Sequence, residues 1–259
     1  MLKTLRTRFL ENRFLFSELV KRDFKKKYKR TYLGMIWSVL SPLLTLLVMR
    51  IVFTQFFGRN VDHYTIYLFC GNIVFSYFSE ATGSGMSSLM DNASIFSKVN
   101  VPKYLFLFSK NISSLINFSM TFVVFIIFCI IDRVPFTPTF FALAFPILCL
   151  IIFNMGVGLI LSALFVFFRD IQYLWGIFTT LLMYLSAIFY TVDVYSPAVQ
   201  RLFLLNPLFV YIKYFRLAVL DGTLPSVQYH LLALGYALGA FLVGSLIYKV
   251  KNHKFLYYV

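Results

Sequence analysis

Two ionisable residues stand inside long apolar stretches of the sequence, Arg50 and Glu80. On insertion scales a charge at the centre of a bilayer costs about 2.5 to 3.5 kcal/mol, so such residues face a protein interior or a water-filled cavity. The two side chains are expected at different depths, which argues against a direct pair. Both are predicted to line a pathway, and snorkelling of Arg50 to the nearer interface is the alternative for that residue.

Side chains that build catalytic or metal sites are scarce. The histidines, His63, His230 and His253, are far apart in the sequence and form neither a metal cluster nor a triad. The three cysteines lie in apolar stretches without metal-ligand spacing. The sequence has no GxxxxGK[ST] phosphate loop, so it holds no ATP in that way. An intramembrane enzyme would need acids or histidines that converge on Glu80, so transport is favoured over catalysis.

Aromatic residues are the other group with a chemical use, because they recur at many depths of three apolar stretches. An aromatic face can stack on the C–H face of a sugar ring without fixing it by hydrogen bonds, which suits a polymer that must slide. The residues in question are Phe53, Phe56, Phe57, Tyr67, Phe69, Phe75, Tyr77, Phe78, Phe178, Tyr184, Phe189 and Tyr190. All except Phe69 are assigned to a substrate channel, and lipid contact or core packing is the alternative for each.

Apolar helices must position these residues. The 259-residue chain is 60% apolar and 13% charged, with a mean hydropathy of +0.80, which fits no soluble core. A bilayer core about 30 Å thick needs roughly 20 apolar residues in a helix. Six stretches meet that requirement: residues 33–57, 64–87, 112–131, 140–168, 171–190 and 229–248. The fourth and fifth are separated by Arg169 and Asp170, and this polar turn divides about 50 apolar residues into two crossings.

The distribution of basic residues sets the orientation. The net charge of +14 is concentrated at the amino terminus and in a few loops, so it indicates topology rather than nucleic-acid binding. With both termini in the cytoplasm, the outside holds only a minority of the basic residues, Arg59, Arg133, Arg201, Lys213 and Arg216. The positive-inside rule therefore places both termini, including the tail 249–259, in the cytoplasm.

The amino-terminal segment, residues 1–32, has the pattern of a surface helix. On a helical wheel, Leu2, Leu5, Phe9, Phe16 and Val20 share one face, and several charged residues lie opposite. This predicts an amphipathic interface helix that lies along the membrane. Contact with a cytoplasmic partner and anchoring to anionic headgroups are both open, and one helix can do both.

The external segment 191–228 contains two amphipathic runs that are too short to cross a bilayer. Each begins with a capping residue followed by proline, Ser196 before Pro197 and Asn206 before Pro207. We predict a re-entrant helical hairpin that turns at Asn206 and Pro207. Irregular backbone at membrane depth needs protein or a water-filled cavity around it, so the hairpin is expected to border a pathway. A pair of helices flat on the outer surface is the alternative.

Three motifs carry a family resemblance. RDFKKKYKRTYLGMIWSVLSPLL at Arg22–Leu44, FFRD at Phe167–Asp170 and LLNPL at Leu204–Leu208 resemble the membrane subunits of ATP-binding-cassette polysaccharide exporters, the Wzm-like permeases of O-antigen export. The similarity covers nearly the whole chain. It agrees with an all-α integral membrane protein of one domain, residues 1–259, with six transmembrane helices, an interface helix and a re-entrant hairpin between spans five and six.

The resemblance implies a homodimer in a bacterial inner membrane, bound to two copies of a separate nucleotide-binding ATPase subunit. ATP and Mg would belong to that partner, and this chain would carry no cofactor, metal or ATPase site of its own. In the family, an amino-terminal interface helix and the cytoplasmic segment between spans two and three press on the ATPase. The corresponding residues here are Phe9, Phe16, Asp91, Ile95, Phe96, Val99 and Lys103.

The resemblance also implies the cargo, a long glycan on an undecaprenyl diphosphate carrier. Lys29 and Arg30 are then candidates for binding the diphosphate by charge-assisted hydrogen bonds, although orienting the first span is an equally good explanation of their charge. Permeases for teichoic acid or capsule belong to the same wider family. A small lipid or drug is a further alternative as cargo, against which the aromatic residues and the hairpin argue.

Overall fold

The computed structural model describes the backbone of residues 2–28, 31–57, 62–99, 101–252 and 254–258, and the side chains of all of these except residues 2–12, 28, 55–57 and 257. Within those ranges all regular structure is helical. The helices are α1 Leu2–Tyr28, α2 Trp37–Phe57, α3 Tyr64–Asp91, α4 Ala93–Phe96, α5 Tyr104–Ile131, α6 Ala144–Phe167, α7 Ile171–Leu185, α8 Pro197–Phe203, α9 Pro207–Val219 and α10 Val227–Lys251. Short 3₁₀ turns at Gly34–Ile36 and Pro138–Leu143 lead into α2 and α6, and a third, the carboxyl-terminal turn, covers Lys254–Tyr257.

Four helical stretches of the described chain are long and apolar enough to cross a membrane. They are residues 34–54, 104–131, 138–167 and 227–251, and the bent pair of α8 and α9 would make a fifth. The protein is therefore a multi-pass membrane protein. Two other predicted spans do not meet this requirement of length and apolar composition. The helix α3 is long but carries many polar residues. The 15 residues of α7 extend only about 22 Å at 1.5 Å per residue. Six crossings thus stay a prediction.

The helix α3 is the centre of the bundle. It packs mainly against α5 and α6, and also against α2, α7 and α9. Its buried residues include the polar Asn72, Thr82 and Ser88. The Thr82 hydroxyl donates to the carbonyl of Phe78 at 2.7 Å. Because other helices pack around α3, these buried polar residues contact protein rather than lipid, which explains how a helix of modest hydropathy can occupy this position.

Small residues bring α6 and α10 together. A Cβ atom added at Gly156 would lie 2.4 Å from the carbonyl carbon of Ala240 on α10, and one added at Gly244 would lie 2.6 Å from the carbonyl oxygen of Gly156. The backbones therefore meet at a distance that a larger side chain would prevent. This contact fixes the last long helix against the core.

The helices α8 and α9 begin at the prolines expected from the sequence, Pro197 and Pro207. The Asn206 side chain accepts a hydrogen bond from the amide of Leu208 at 3.0 Å, which confirms it as the cap of α9. The two helices are bent by 106° at this break. Nearly all of α9 is buried, and it contacts α3, α6 and α10.

The bundle has two ends, named here by the elements found there. At the α1 end, α1 packs on α5 beside the segment between α3 and α5, the turn between α6 and α7, and the carboxyl-terminal turn. The turn between α6 and α7 contains Arg169 and Asp170 and separates the two helices as expected. At the hairpin end, α8 and α9 lie near the start of α3 and the residues that follow α7.

Candidate functional site

At the α1 end, a buried carboxylate joins α1 to α5. Asp23 is 8% exposed, and it accepts hydrogen bonds from the Ser109 hydroxyl at 2.9 Å and from the Arg22 guanidinium at 2.7 Å. The Lys110 amine lies 4.0 Å away. Arg22 also donates to the side-chain oxygen of Asn92 at 2.7 Å. These contacts connect α1 to α5 and to the turn before α4, and they satisfy a charge that would otherwise be costly to bury.

The segment between α3 and α5 is docked on this network. The Asp91 carboxylate lies 3.0 Å from the Lys110 amine, while Phe96 is buried and Ile95 partly buried in the apolar cluster beneath. Val99 is exposed. The residues of this segment that were assigned to ATPase contact therefore differ in environment: Phe96 anchors the segment to the bundle, and Val99 stays exposed.

Lys103 fastens the same segment to the carboxyl-terminal turn. Its amine donates to the carbonyl of Asn252 and lies 5.7 Å from the ring centroids of both Phe96 and Phe255. Burial lowers the pKa of the Lys103 amine. Phe255 is fully buried and packs against Phe167 and Tyr248. The sequence offered no signal for this role of the tail, because the contacts join residues about 150 positions apart.

Glu80 has two partners inside the bundle. Its carboxylate lies 2.9 Å from the Lys27 amine and accepts a hydrogen bond from the Asn117 amide at 2.6 Å. All three line a cavity of about 450 Å³ between α2, α3 and α5, together with Ser41, Ser76 and other polar residues. Glu80 therefore lines a polar cavity, and its charged partner is Lys27 near the end of α1; a role in a transport pathway stays a prediction.

A second cavity, of about 340 Å³, shares Lys27 and Glu80 with the first. It is also lined by Asp23, Lys26 and Lys110. Polar space therefore continues from the network at the α1 end to the interior of the bundle. The charges along this path belong to α1, α3 and α5. A shift of α1 would therefore move Lys27 relative to Glu80 and change their ion pair.

Arg50 lies on α2 with its side chain exposed and forms no ion pair within the described parts of the chain. Lys29 and Arg30, the candidates for diphosphate binding, lie outside the described residues. The same holds for the side chain of Phe9, whereas Phe16 is partly buried against α5 and the α1-end cluster. The roles assigned to these residues stay predictions.

The aromatic residues assigned to the channel fall into several environments. Tyr67, Tyr77, Phe78 and Phe189 are buried in the core with Phe69, whereas Phe178 and Tyr184 on α7 are exposed. Phe53, Phe75 and Tyr190 are partly buried, and the side chains of Phe56 and Phe57 are not described. In this conformation, the residues available to a sugar are therefore chiefly those on α7.

Two helices leave wide apolar faces uncovered. No residue of α7 is buried, although the helix is strongly apolar, and α2 is nearly as open, with Leu46 as its largest buried side chain. Both helices pack on α3. The Phe53 ring of α2 stacks on Phe189, which follows α7, with their centroids 4.3 Å apart. The exposed large apolar residues are Trp37, Leu44, Leu47, Val48, Ile51 and Val52 on α2 and Tyr173, Leu174, Ile177, Phe178, Leu181, Tyr184 and Leu185 on α7.

At the hairpin end, the irregular backbone after α7 is held by side chains from other helices. The Arg216 guanidinium donates to the carbonyls of Ala187 at 2.8 Å and Ile188 at 2.9 Å. The hydroxyl of Tyr64 donates to the carbonyl of Phe189 at 2.7 Å, and that of Tyr67 donates to the carbonyl of Tyr190 at 2.6 Å. Four consecutive carbonyls are thus satisfied without a helix. The only sequence signal for Arg216 was its charge within the apolar run of α9.

The chain is similar to known transport proteins over most of its length. The model of the family described as ABC-2 type transporter matches residues 15–220. The O-antigen export system permease protein RfbA of Klebsiella pneumoniae is 27% identical over 250 residues, which cover 93% of this chain and 95% of that protein. RfbA of Myxococcus xanthus is 26% identical over 220 residues, 83% of this chain and 84% of its own. The capsule polysaccharide export inner-membrane protein CtrC of Neisseria meningitidis serogroup A is 24% identical over 211 residues, 78% of this chain and 79% of its own.

Proposed function

This chain belongs to the ABC-2 type transporter family, and from that premise we propose that it is the membrane subunit of a polysaccharide exporter, with O-antigen as the cargo. The names of the relatives support this cargo, and the O-antigen permeases are more similar to the chain than the capsule protein is. Export of a capsule is the second candidate. In this proposal the chain has six crossings and both termini lie in the cytoplasm.

The observation that carries the proposal is the uncovered apolar face formed by α2 and α7. Lipid could cover such a face, but α7 has no fully buried residue and is too short for a regular membrane helix. In a homodimer, α2 and α7 of two copies would enclose a channel between them. Phe178 and Tyr184 would then offer aromatic surfaces for sugar rings to slide on.

The α1 end is the proposed contact with two copies of a separate ATPase subunit, which bind ATP and Mg. The amino-terminal part of α1 and the exposed Val99 would meet the ATPase, while Asp23 and Asp91 hold these elements together. Movement of α1 would reach Glu80 through Lys27. The proposed cargo is linked to undecaprenyl diphosphate, and Lys29 and Arg30 are proposed to bind the diphosphate. The hairpin of α8 and α9 is proposed to be re-entrant at the channel exit.

Deletion of the gene in its host tests the proposal. Loss of long surface polysaccharide attached to lipopolysaccharide, with material accumulating inside and restored by a plasmid copy, is the expected result. Loss of capsule with intact lipopolysaccharide would select the capsule candidate. A deletion strain with both polymers at normal length and amount would contradict the proposal. The purified chain alone is expected to hydrolyse no ATP, measured as released phosphate against a detergent-only blank.

A further inference from the structure

A polar cavity of about 540 Å³ lies at the hairpin end, away from the face of α2 and α7. It is formed by the turn before α3, the residues that follow α7, α8, α9 and the start of α10, and no residue of α2 or α7 lines it. Its volume is within the range of about 300 to 1,000 Å³ that is usual for small-molecule sites. Of the aromatic residues assigned to the channel, Tyr67 alone lines this cavity within the described chain.

The charges around this cavity are balanced. Arg201, Lys213 and Arg216 contribute cations, and Asp62, Asp193 and Asp221 contribute carboxylates. Only one of these pairs is close, Lys213 with Asp193 at 3.6 Å. An equal number of positive and negative groups selects against a strongly anionic or cationic ligand. No group of residues in the described chain has the arrangement needed to hold a metal ion.

Several polar groups at the cavity lack partners in the described residues. Asp62, Arg201 and Asp221 form no ion pair there. Arg216, which is 4% exposed, contributes to the wall, and its Nε atom has no hydrogen-bond partner among the described residues. Such a set offers donors and acceptors in similar numbers, and a ligand with many hydroxyl groups can satisfy both kinds because each hydroxyl donates and accepts.

Aromatic rings complete the lining. Tyr67, Phe209 and Tyr229 contribute to the wall, and the Arg216 guanidinium lies over the Tyr67 ring at 3.4 Å from its centroid, which holds both side chains in place. The hydroxyl of Tyr229 makes no hydrogen bond within the described residues. Tyr229 can therefore present its ring to the C–H face of a sugar and its hydroxyl to a neighbouring oxygen.

We propose that this cavity is a saccharide-binding subsite that holds an uncharged sugar unit of the exported polymer outside the channel. The inference rests on the proposed function, since it takes its ligand from the cargo. It adds a second place at which one subunit grips the polymer, at the end where the chain would leave the membrane. Held there, the polymer cannot slide back while the channel resets.

The test uses the purified full-length chain in detergent micelles and, as the probe, lipid-free polysaccharide released from the host surface by mild acid. Calorimetric titration is expected to show saturable binding to the wild type. Arg201→Gln and Asp221→Asn, both at exposed residues, should each weaken binding by about tenfold or more through loss of a charge-assisted hydrogen bond. The matched controls are Arg133→Gln, at an exposed arginine outside the cavity, and Asp170→Asn at the α1 end; both should bind as the wild type does.

Absence of binding by the wild type, or binding that the two cavity variants leave unchanged, overturns the subsite. The gene deletion distinguishes this failure from failure of the proposed function. Restored export without cavity-dependent binding rejects the subsite alone. Normal surface polysaccharide in the deletion strain rejects the proposed function, and the titration still decides whether the cavity binds saccharide. Size-exclusion profiles that match the wild type show that the variants are folded.

Discussion

Arg216 is a buried cation whose partners are carbonyl oxygens and an aromatic ring rather than a carboxylate. Replacing it with methionine would leave the carbonyls of Ala187 and Ile188 without donors in a buried place. Each such orphan costs about 1 to 3 kcal/mol, so we expect a loss of about 2 to 6 kcal/mol of stability. The measurement is the fraction of protein that stays monodisperse in detergent after heating.

The matched control for Arg216→Met is Arg133→Gln, which removes an exposed arginine at the same end of the bundle. It should leave the heating profile within error of the wild type. Arg216→Lys should fall between the two, because one amine cannot reach both carbonyls in the geometry of the guanidinium fork. Equal stability of Arg216→Met and Arg133→Gln would show that the irregular segment after α7 is held in another way.

Lys27 and Glu80 form an ion pair that is only partly shielded, since both side chains are about a third or more exposed. A pair of this kind contributes at most about 1 kcal/mol. Glu80→Gln should therefore lower the unfolding temperature by about 2 to 4 °C, and Lys27→Met combined with Glu80→Gln should recover part of the loss because no charge is then left alone. Thermal unfolding of the purified variants measures both, and a double variant less stable than either single one would contradict the pairing.

At the scale of elements, the sequence predicted those features that depend on neighbouring residues, such as the starts of helices. Asn206 with Pro207, and Ser196 with Pro197, identified the starts of α9 and α8 because capping depends on residues adjacent in sequence. The partners of Glu80 and Arg216 were not predictable, because each contact joins helices that only the assembled bundle brings together. The end of α7 was also missed: the apolar pattern continues to Tyr190, whereas the helix stops at Leu185 and Ala187 takes a positive φ of 51°.

The carboxyl-terminal turn is an element with a mechanical role that can be tested. Phe255→Ala removes the buried ring beside Lys103, Phe167 and Tyr248. We expect the segment from Asp91 to Tyr104 to exchange its amide hydrogens at least about tenfold faster, because it loses one of its supports. Leu256→Ala is the matched control, since Leu256 is the next residue and is half exposed. Equal exchange rates in the two variants would show that the carboxyl-terminal turn does not support the segment from Asp91 to Tyr104.

At the scale of the whole molecule, the distribution of apolar surface predicts which face meets a second copy. Val123 on α5 and Ile177 on α7 are both exposed and apolar, but only α7 belongs to the face that we propose to form the dimer. The three native cysteines are buried and should stay unreactive, so a single introduced cysteine reports its own surroundings. In native membranes, Ile177→Cys is expected to form a disulfide-linked dimer on mild oxidation.

Val123→Cys is the matched control, and it is expected to stay monomeric because α5 would face lipid. Both variants should be made in a chain that still restores polysaccharide export, so that the dimer detected is the working one. Cross-linking of Ile177→Cys should also stop export, because a channel between two subunits must change its width as the cargo passes. Export should resume when the disulfide is reduced. A dimer band from Val123→Cys with none from Ile177→Cys would place the interface at α5 instead of α7 and would contradict the proposed channel.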